Sequence, residues 1–382
     1  MHCNALVQQL TRINDFPYFY NMHQQNRIFG LDLMRAVAIL LVLKGHAKLL
    51  AGDLFSLWPS ISTIDGVELF FVLSGFLIGG IILKSLDDPS TLNFKSILHF
   101  WKRRWYRTLP NYYLVLLLQI LIVALGWSND TLDGVDAHFF FFTQNLFSGF
   151  QGFFWESWSL SVEEWFYLLF PFVLWLLSRL FNKSTAFLAA SFTLILAPLL
   201  LRWVLLSDVT LDWYAWDVQC RKVVALRLDA IAFGLLAVYF SHFFKSAFSQ
   251  WAKLLFVLGI GLLVLDAQCM NDPNGIYEKI FSFSLKPMAV SMLIPLLYQW
   301  KIRPLARWAK AIAWTSKISY SMYLLNLGVV FTLLNHFIHP VTTSGWFFRY
   351  LLFWVITFAA SHLLYHYHER FWLKKRDERF HD

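Results

Sequence analysis

An arginine and a histidine, Arg35 and His46, stand eleven residues apart in a long apolar stretch, Leu31 to Leu50. A stretch of that length is a transmembrane helix candidate, and a charged side chain inside one costs roughly 2.5–3.5 kcal/mol on insertion scales. At ~100° per residue, eleven steps return to within about 20° of the same face, ~16 Å further along. One stripe of one helix therefore carries a fixed cation and a titratable base. Asp32 lies one turn before Arg35 and can pair with it at i, i+3. A buried neutral imidazole can take a proton from a hydroxyl, which is general-base work. The plainer alternative is a polar stripe that only faces neighbouring helices.

Four further constellations could carry chemistry. Phe100 to Pro110 holds Lys102, Arg103, Arg104 and Arg107 among aromatics, a surface suited to phosphates and a flat base, and equally to anionic lipid. Gly66 to Gly80 contains Glu68 and the small residues Ser74, Gly75, Gly79 and Gly80, which let helices approach closely. Trp158 to Pro171 contains the adjacent carboxylates Glu163 and Glu164. Ser161 reads as an N-cap with both acids in the first turn, one of them facing the interior. Arg227, Asp229 and Gly234, and Ser319, Tyr320, Tyr323 and Asn326, are weaker polar groups on later spans.

These groups need a scaffold, and the composition describes one. Of 382 residues, 58% are hydrophobic, 19% aromatic and only 15% charged; a soluble domain carries about 25% charge. Hydropathy predicts an all-α, polytopic membrane bundle of about ten spans near 31–50, 66–84, 110–127, 163–181, 187–206, 225–242, 252–268, 281–300, 312–335 and 345–366. Most of the 32 Lys and Arg, including Arg12, Arg27, Arg303 and the tail from Arg370 to Arg379, fall on one side. The opposite loop, 128–160, has none but carries Asp130, Asp133, Asp136 and Glu156. The positive-inside rule then puts both termini in the cytoplasm, and the +8 net charge reflects topology rather than nucleic-acid binding. Residues 1–29 read as a short cytoplasmic segment without a signal-peptide pattern, 30–370 as the membrane domain and 371–382 as a basic cytoplasmic tail. Cys3 falls on the cytoplasmic side. Cys220 and Cys269 both fall near the opposite surface, where a disulfide or two separate thiols fit the sequence.

Taken in order, these motifs resemble the membrane-bound acyltransferase family 3, which includes O-antigen and other surface-polysaccharide O-acetyltransferases. The resemblance rests on Gly30-Leu31-Asp32-x-x-Arg35 with ten residues before His46, Phe70 to Ile78, Phe100 to Pro110, and Trp158 to Leu168. It implies a bacterial inner-membrane enzyme that needs no metal and uses cytoplasmic acyl-CoA, commonly acetyl-CoA. The acyl group goes to a carbohydrate hydroxyl at the outer face, such as one of a lipopolysaccharide, among membrane lipids and glycan-assembly partners. His46 becomes the expected catalytic residue. Arg35, Arg103, Arg104, Arg107 and Ser74 become donor contacts, while Glu163 or Glu164 orients the acceptor or tunes His46. Two positions depart from the family pattern: Asn326 stands where many members have His, and Phe371 where many have Pro. No catalytic role is therefore expected of the ninth span or the tail. No serine-hydrolase-like domain follows, so transfer is expected to finish in the membrane domain or on a separate partner.

Direct transfer and a covalent acyl-His step both fit these residues. The aromatic loop from Phe139 to Trp158 reads either as sugar-stacking surface or as interfacial anchor. A different class, a secondary transporter exporting an anion or lipid-linked sugar, would use the same Arg, His and Glu as a relay or clamp. It predicts no acyl-CoA binding.

Overall fold

A computed structural model describes residues 28–51, 65–86, 94–133, 135–150, 152–301 and 306–379. Arg12, Arg27, Cys3 and Arg303, and nearly all of the expected 1–29 segment, lie outside them. Among the described residues the regular structure is helical throughout. Ten helical segments carry it: α1 (Phe29–Leu49), α2 (Gly66–Leu86), α3 (Phe94–Ala124), α4 (Ser157–Leu177) and α5 (Lys183–Leu206), then α6 (Leu228–Phe243), α7 (Ala252–Cys269), α8 (Tyr277–Gln299), α9 (Arg307–Phe337) and α10 (Thr343–Arg379).

Each expected span has a helix at its position, and eight of these helices are long and apolar enough to cross a membrane. The two others fall short for physical reasons. Helix α1 has the length but carries Asp32, Arg35, Lys44 and Lys48. Helix α6 has 16 residues, about 24 Å of rise against a ~30 Å hydrocarbon core. Its stretch from Leu228 to Leu235 is buried on every side. A helix wrapped by other helices has no lipid-exposed backbone to cover.

Small residues set the centre of the bundle. Helix α6 packs most extensively against α2. A Cβ at Gly75 would stand 1.9 Å from the Ile231 carbonyl oxygen, and one at Gly234 would stand 2.1 Å from that of Val72. Neither position can take a side chain unless the helices separate. A buried ion pair ties this core to α5: Arg202 donates to Asp229 at 2.7 Å, to the Ile280 carbonyl at 3.0 Å and to Ser284 at 2.6 Å. Arg202 and Asp229 are both fully buried, so Asp229 serves structure. The outer faces of α5, α7 and α10 expose Val204, Val257 and Val355, a distribution that suits lipid rather than water. The chain is a membrane protein.

The aromatic loop divides between uses. Phe139, Phe142, Phe150, Phe153 and Phe154 are buried against the bundle, whereas Phe141 and Phe147 are exposed. Cys220 is buried, Cys269 is exposed, and neither forms a disulfide.

Candidate functional site: two cavities back to back

The element that positions most of the site is α1, which packs against α9 and α2. Its Arg35 lines a cavity of about 600 Å³ and its His46 lines another of about 510 Å³. The two side chains on one stripe thus open into different chambers. Only Val67 and Tyr323, among the described residues, line both.

The first cavity is cationic. Arg104 and Arg107 of α3 line it with Arg35, and Lys84 and Lys245 add two more cations. Arg35 stays oriented because Asp32 lies 3.7 Å away and Ser316, which donates to Asp32 at 2.8 Å, lies within 3.4 Å of the guanidinium. Ser74 and Glu163 meet here: the hydroxyl donates to Glu163 Oε1 at 2.9 Å, and Tyr167 donates to Oε2 at 2.9 Å. The Arg104 guanidinium sits over the Tyr167 ring, 5.4 Å from its centroid. Arg103 does not line this cavity; one step round the helix, it lies within electrostatic range of Arg376.

The two carboxylates of α4 lie elsewhere than expected. The helix starts at Ser157, and Ser161 is no cap: its hydroxyl donates to the Ser157 carbonyl at 3.1 Å. The six-residue earlier start moves Glu163 and Glu164 about 9 Å deeper. Glu163 therefore belongs to the cationic cavity, and Glu164 accepts from Thr108 at 2.7 Å without lining either chamber.

The second cavity contains His46. Its Nδ1 lies 2.5 Å from Asn326 Oδ1. The amide nitrogen of Asn326 donates to the Met322 and Tyr323 carbonyls at 3.0 and 2.7 Å, which fixes the oxygen toward His46. Nδ1 therefore carries the proton and donates, leaving the lone pair on Nε2. This is the tautomer a general base needs. The ninth span, of which no catalytic role was expected, supplies the residue that orients the histidine: Asn326 is fully buried and meets His46 directly. The Phe371 position is peripheral, and the neighbouring Glu369 accepts from Asn111 and Ser321 to hold α10 against the bundle.

At Asn326 the helix widens into a π turn, Asn326–Phe331, a local form frequent at functional sites. Glu156 holds it, accepting from the Leu327 and Gly328 amides at 3.1 and 2.6 Å. Burial pushes the Glu156 carboxyl up to about 7, although these amides pull it down. Trp155 and Trp158 also line this chamber, with Lys222 4.2 Å from the centroid of the first ring and Arg221 4.9 Å from that of the second. Arg221 bridges Asp65 and Asp217. Burial alone raises the Asp65 carboxyl, but the guanidinium overcomes this and holds it below its usual range. Glu68 pairs with the fully buried Arg227 of the turn before α6.

Sequence reasoning missed Glu156, Arg221 and the partnership of Asn326. Their partners lie far along the chain, 171 residues for Glu156 and Leu327 and 280 for His46 and Asn326, so no local pattern could join them. The available signal was an amide inside an apolar span, three residues after Tyr323.

Fold and site together define a polytopic membrane protein with a cationic chamber set against a histidine-bearing one. Residues 28–366 match the acyltransferase domain of the acyltransferase-3 family. The chain belongs to this family of acyltransferases. It is 34% identical over 191 residues, 46% of this chain and 28% of the relative, to the Bacillus subtilis protein named "Putative peptidoglycan O-acetyltransferase YrhL". It is also 26% identical over 319 residues, 72% of this chain and 50% of the relative, to Staphylococcus aureus O-acetyltransferase OatA. A "Putative O-acetyltransferase" of Staphylococcus aureus strain COL is 26% identical over 365 residues, 87% of this chain and 55% of the relative. The chain thus spans about half the length of these relatives, or less. No solved structure matches it.

Proposed function

We propose that the chain is a membrane O-acyltransferase that moves an acyl group, acetyl in the simplest case, from acyl-CoA to a hydroxyl of a surface or lipid-linked carbohydrate. The reading places ten crossing helices in a bacterial inner membrane with both termini in the cytoplasm. The absence of Lys and Arg from residues 128–160 supports that orientation. The carrying observation is the pair of chambers, five cations on one side and an oriented imidazole on the other, sharing Tyr323.

In this reading Arg35, Arg104 and Arg107 hold the CoA phosphates, and the thioester extends along the bundle toward Tyr323. His46 Nε2 takes the proton of the acceptor hydroxyl, whose oxygen attacks the thioester carbonyl. The carbon–sulfur bond breaks, CoA leaves as a thiolate that takes up a proton, and the ester leaves on the other side. Asn326 keeps Nδ1 protonated throughout and leaves Nε2 free to act. Glu163, Ser74 and Tyr167 shape the donor chamber.

The test is mass spectrometry of surface glycans from the host strain lacking its own copy and complemented with variants of equal membrane abundance. Wild type restores an acyl mass increment and His46→Ala does not. Arg104→Gln with Arg107→Gln weakens acetyl-CoA binding to the purified protein at least tenfold. Normal acylation by His46→Ala, or no acetyl-CoA binding by wild type, overturns the reading. The latter result would favour the transporter.

A further inference from the structure

The cations of the two chambers are partnered differently. In the histidine chamber Arg221 bridges Asp65 and Asp217, Lys222 pairs with Asp217 at 2.5 Å, Arg227 pairs with Glu68, and Lys286 lies 3.4 Å from Asp266. In the cationic chamber Lys84 and Lys245 are exposed, and among the described residues neither has an acidic partner. Lys84 stands near the end of α2 and Lys245 just past the end of α6. Topology and the helix dipole both favour lysines at such ends, but neither requires them to line a cavity. Both line this one.

Helix α2 measures where they stand. Its Phe70, Ser74 and Lys84 all line the chamber. Phe70 lies beside Tyr323, with ring centroids 6.3 Å apart. Ser74 donates to Glu163, whose other oxygen accepts from Tyr167 beneath the Arg104 guanidinium. Lys84 follows Ser74 by ten residues, a rise of ~15 Å. Helix α6 runs beside α2 in the same direction: a Cβ at Gly75 would meet the Ile231 carbonyl, and one at Gly79 would meet Val238 at 2.6 Å. His242, which also lines the chamber, is four residues past Val238 and Lys245 is seven, so both stand at the Lys84 end. Along α2 the chamber therefore presents the lysines first, then Arg104 with the Ser74–Glu163 pair, then the Tyr323 wall.

CoA carries phosphate in two places: a monoester on the ribose 3′ oxygen, and a pyrophosphate between the ribose and the pantetheine arm that ends in the thioester. The order along the chamber is the order along that molecule. A phosphate monoester holds roughly 1.5–2 negative charges at pH 7, and lysine ammoniums serve it as compact point charges. We infer that Lys84 and Lys245 bind the 3′-phosphate of the donor, leaving Arg35, Arg104 and Arg107 to the pyrophosphate. The inference rests on the acyltransferase reading above and adds a specificity to it: the chamber selects the 3′-phosphorylated nucleotide. A thioester of 3′-dephospho-CoA, or a nucleotide whose only phosphates form a pyrophosphate, leaves both lysines without a counter-charge. The two residues touch no reacting atom; they fix how far the thioester reaches toward Tyr323.

Removing the phosphate from the ligand and the charges from the protein tests the same contact from both sides. The full-length protein in phosphatidylcholine nanodiscs is titrated calorimetrically with acetyl-CoA and with 3′-dephospho-acetyl-CoA. Wild type is compared with Lys84→Gln plus Lys245→Gln, with Lys84→Arg plus Lys245→Arg, and with Arg104→Gln plus Arg107→Gln. Wild type is expected to bind acetyl-CoA at least tenfold more tightly than the dephospho form. The lysine-to-glutamine pair should lose that preference, its acetyl-CoA affinity falling at least tenfold and its dephospho-acetyl-CoA affinity staying within twofold of wild type. The lysine-to-arginine pair should keep the preference, and the arginine-to-glutamine pair should weaken both ligands while keeping it. Equal wild-type affinity for the two ligands overturns the assignment. So does a preference that survives the lysine-to-glutamine change, the result expected if these lysines serve anionic lipid. Binding of neither ligand by wild type would instead sink the acyltransferase reading itself.

Discussion

In the acyltransferase reading His46 acts as a base with one ring nitrogen holding the proton, and Asn326 sets which one. The cost of placing polarity in an apolar span made Arg35 and His46 legible in the sequence. Asn326 and Glu156 were not, because their value comes from contacts that exist only after α1, α4 and α9 have packed. Removing the amide frees the ring to rotate and change tautomer. Asn326→Ala is expected to lower acyl transfer about tenfold to a hundredfold, a large part of what a positioned general base contributes, while acetyl-CoA affinity stays within twofold. Transfer kinetics with purified protein in nanodiscs checks this, and an unchanged turnover would remove Asn326 from the mechanism. Glu156 also makes a prediction about stability. Its folded value of about 7 lies above the ordinary 4.5, so the folded state prefers the proton. The ionised form therefore destabilises the fold fully above pH ~7 and not below pH ~4.5. Glu156→Gln carries no charge, so its melting temperature should gain on wild type as pH rises from 4.5 to 7. A gap independent of pH would contradict this.

Helices were the most legible level. Long apolar runs have few other ways to satisfy their backbone in lipid, and each expected span found its helix. The boundaries erred where polar residues continue a helix. Helix α3 begins at Phe94 rather than near residue 110 and carries its arginine cluster through Pro110. Helix α4 begins at Ser157 rather than 163. Hydropathy ends where the apolar residues end, whereas the backbone hydrogen bonds do not. The small residues of α2 were legible as a close crossing, but not which of them bear it. The structure separates them: a Cβ at Gly75 meets the Ile231 carbonyl at 1.9 Å, while one at Gly80 has nothing nearer than a Val238 methyl at 3.6 Å. Gly75→Ala is expected to lower the melting temperature of the detergent-solubilised protein by several degrees and to cut membrane abundance. Gly80→Ala should match wild type. Equal behaviour of the two would mean that the α2–α6 crossing is not set by backbone approach.

At the scale of the molecule, the shared wall matters more than either chamber. Tyr323 is held there by Ser159, 2.6 Å from its hydroxyl, by the Glu156 carbonyl, to which it donates at 3.2 Å, and by the Phe70 ring at 6.3 Å. In the acyltransferase reading the acyl carbon must pass this point, yet neither CoA nor sugar has to. In that reading the catalyst moves a bond across the bilayer while staying impermeable, with Tyr323 as the seal. Tyr323→Gly in proteoliposomes loaded with a pH-sensitive dye should raise proton leak several-fold over wild type, and a leak equal to wild type would show that the insulation lies elsewhere. An organism using such an enzyme could decorate its exterior with cytoplasmic metabolites and never short-circuit the gradient that powers it.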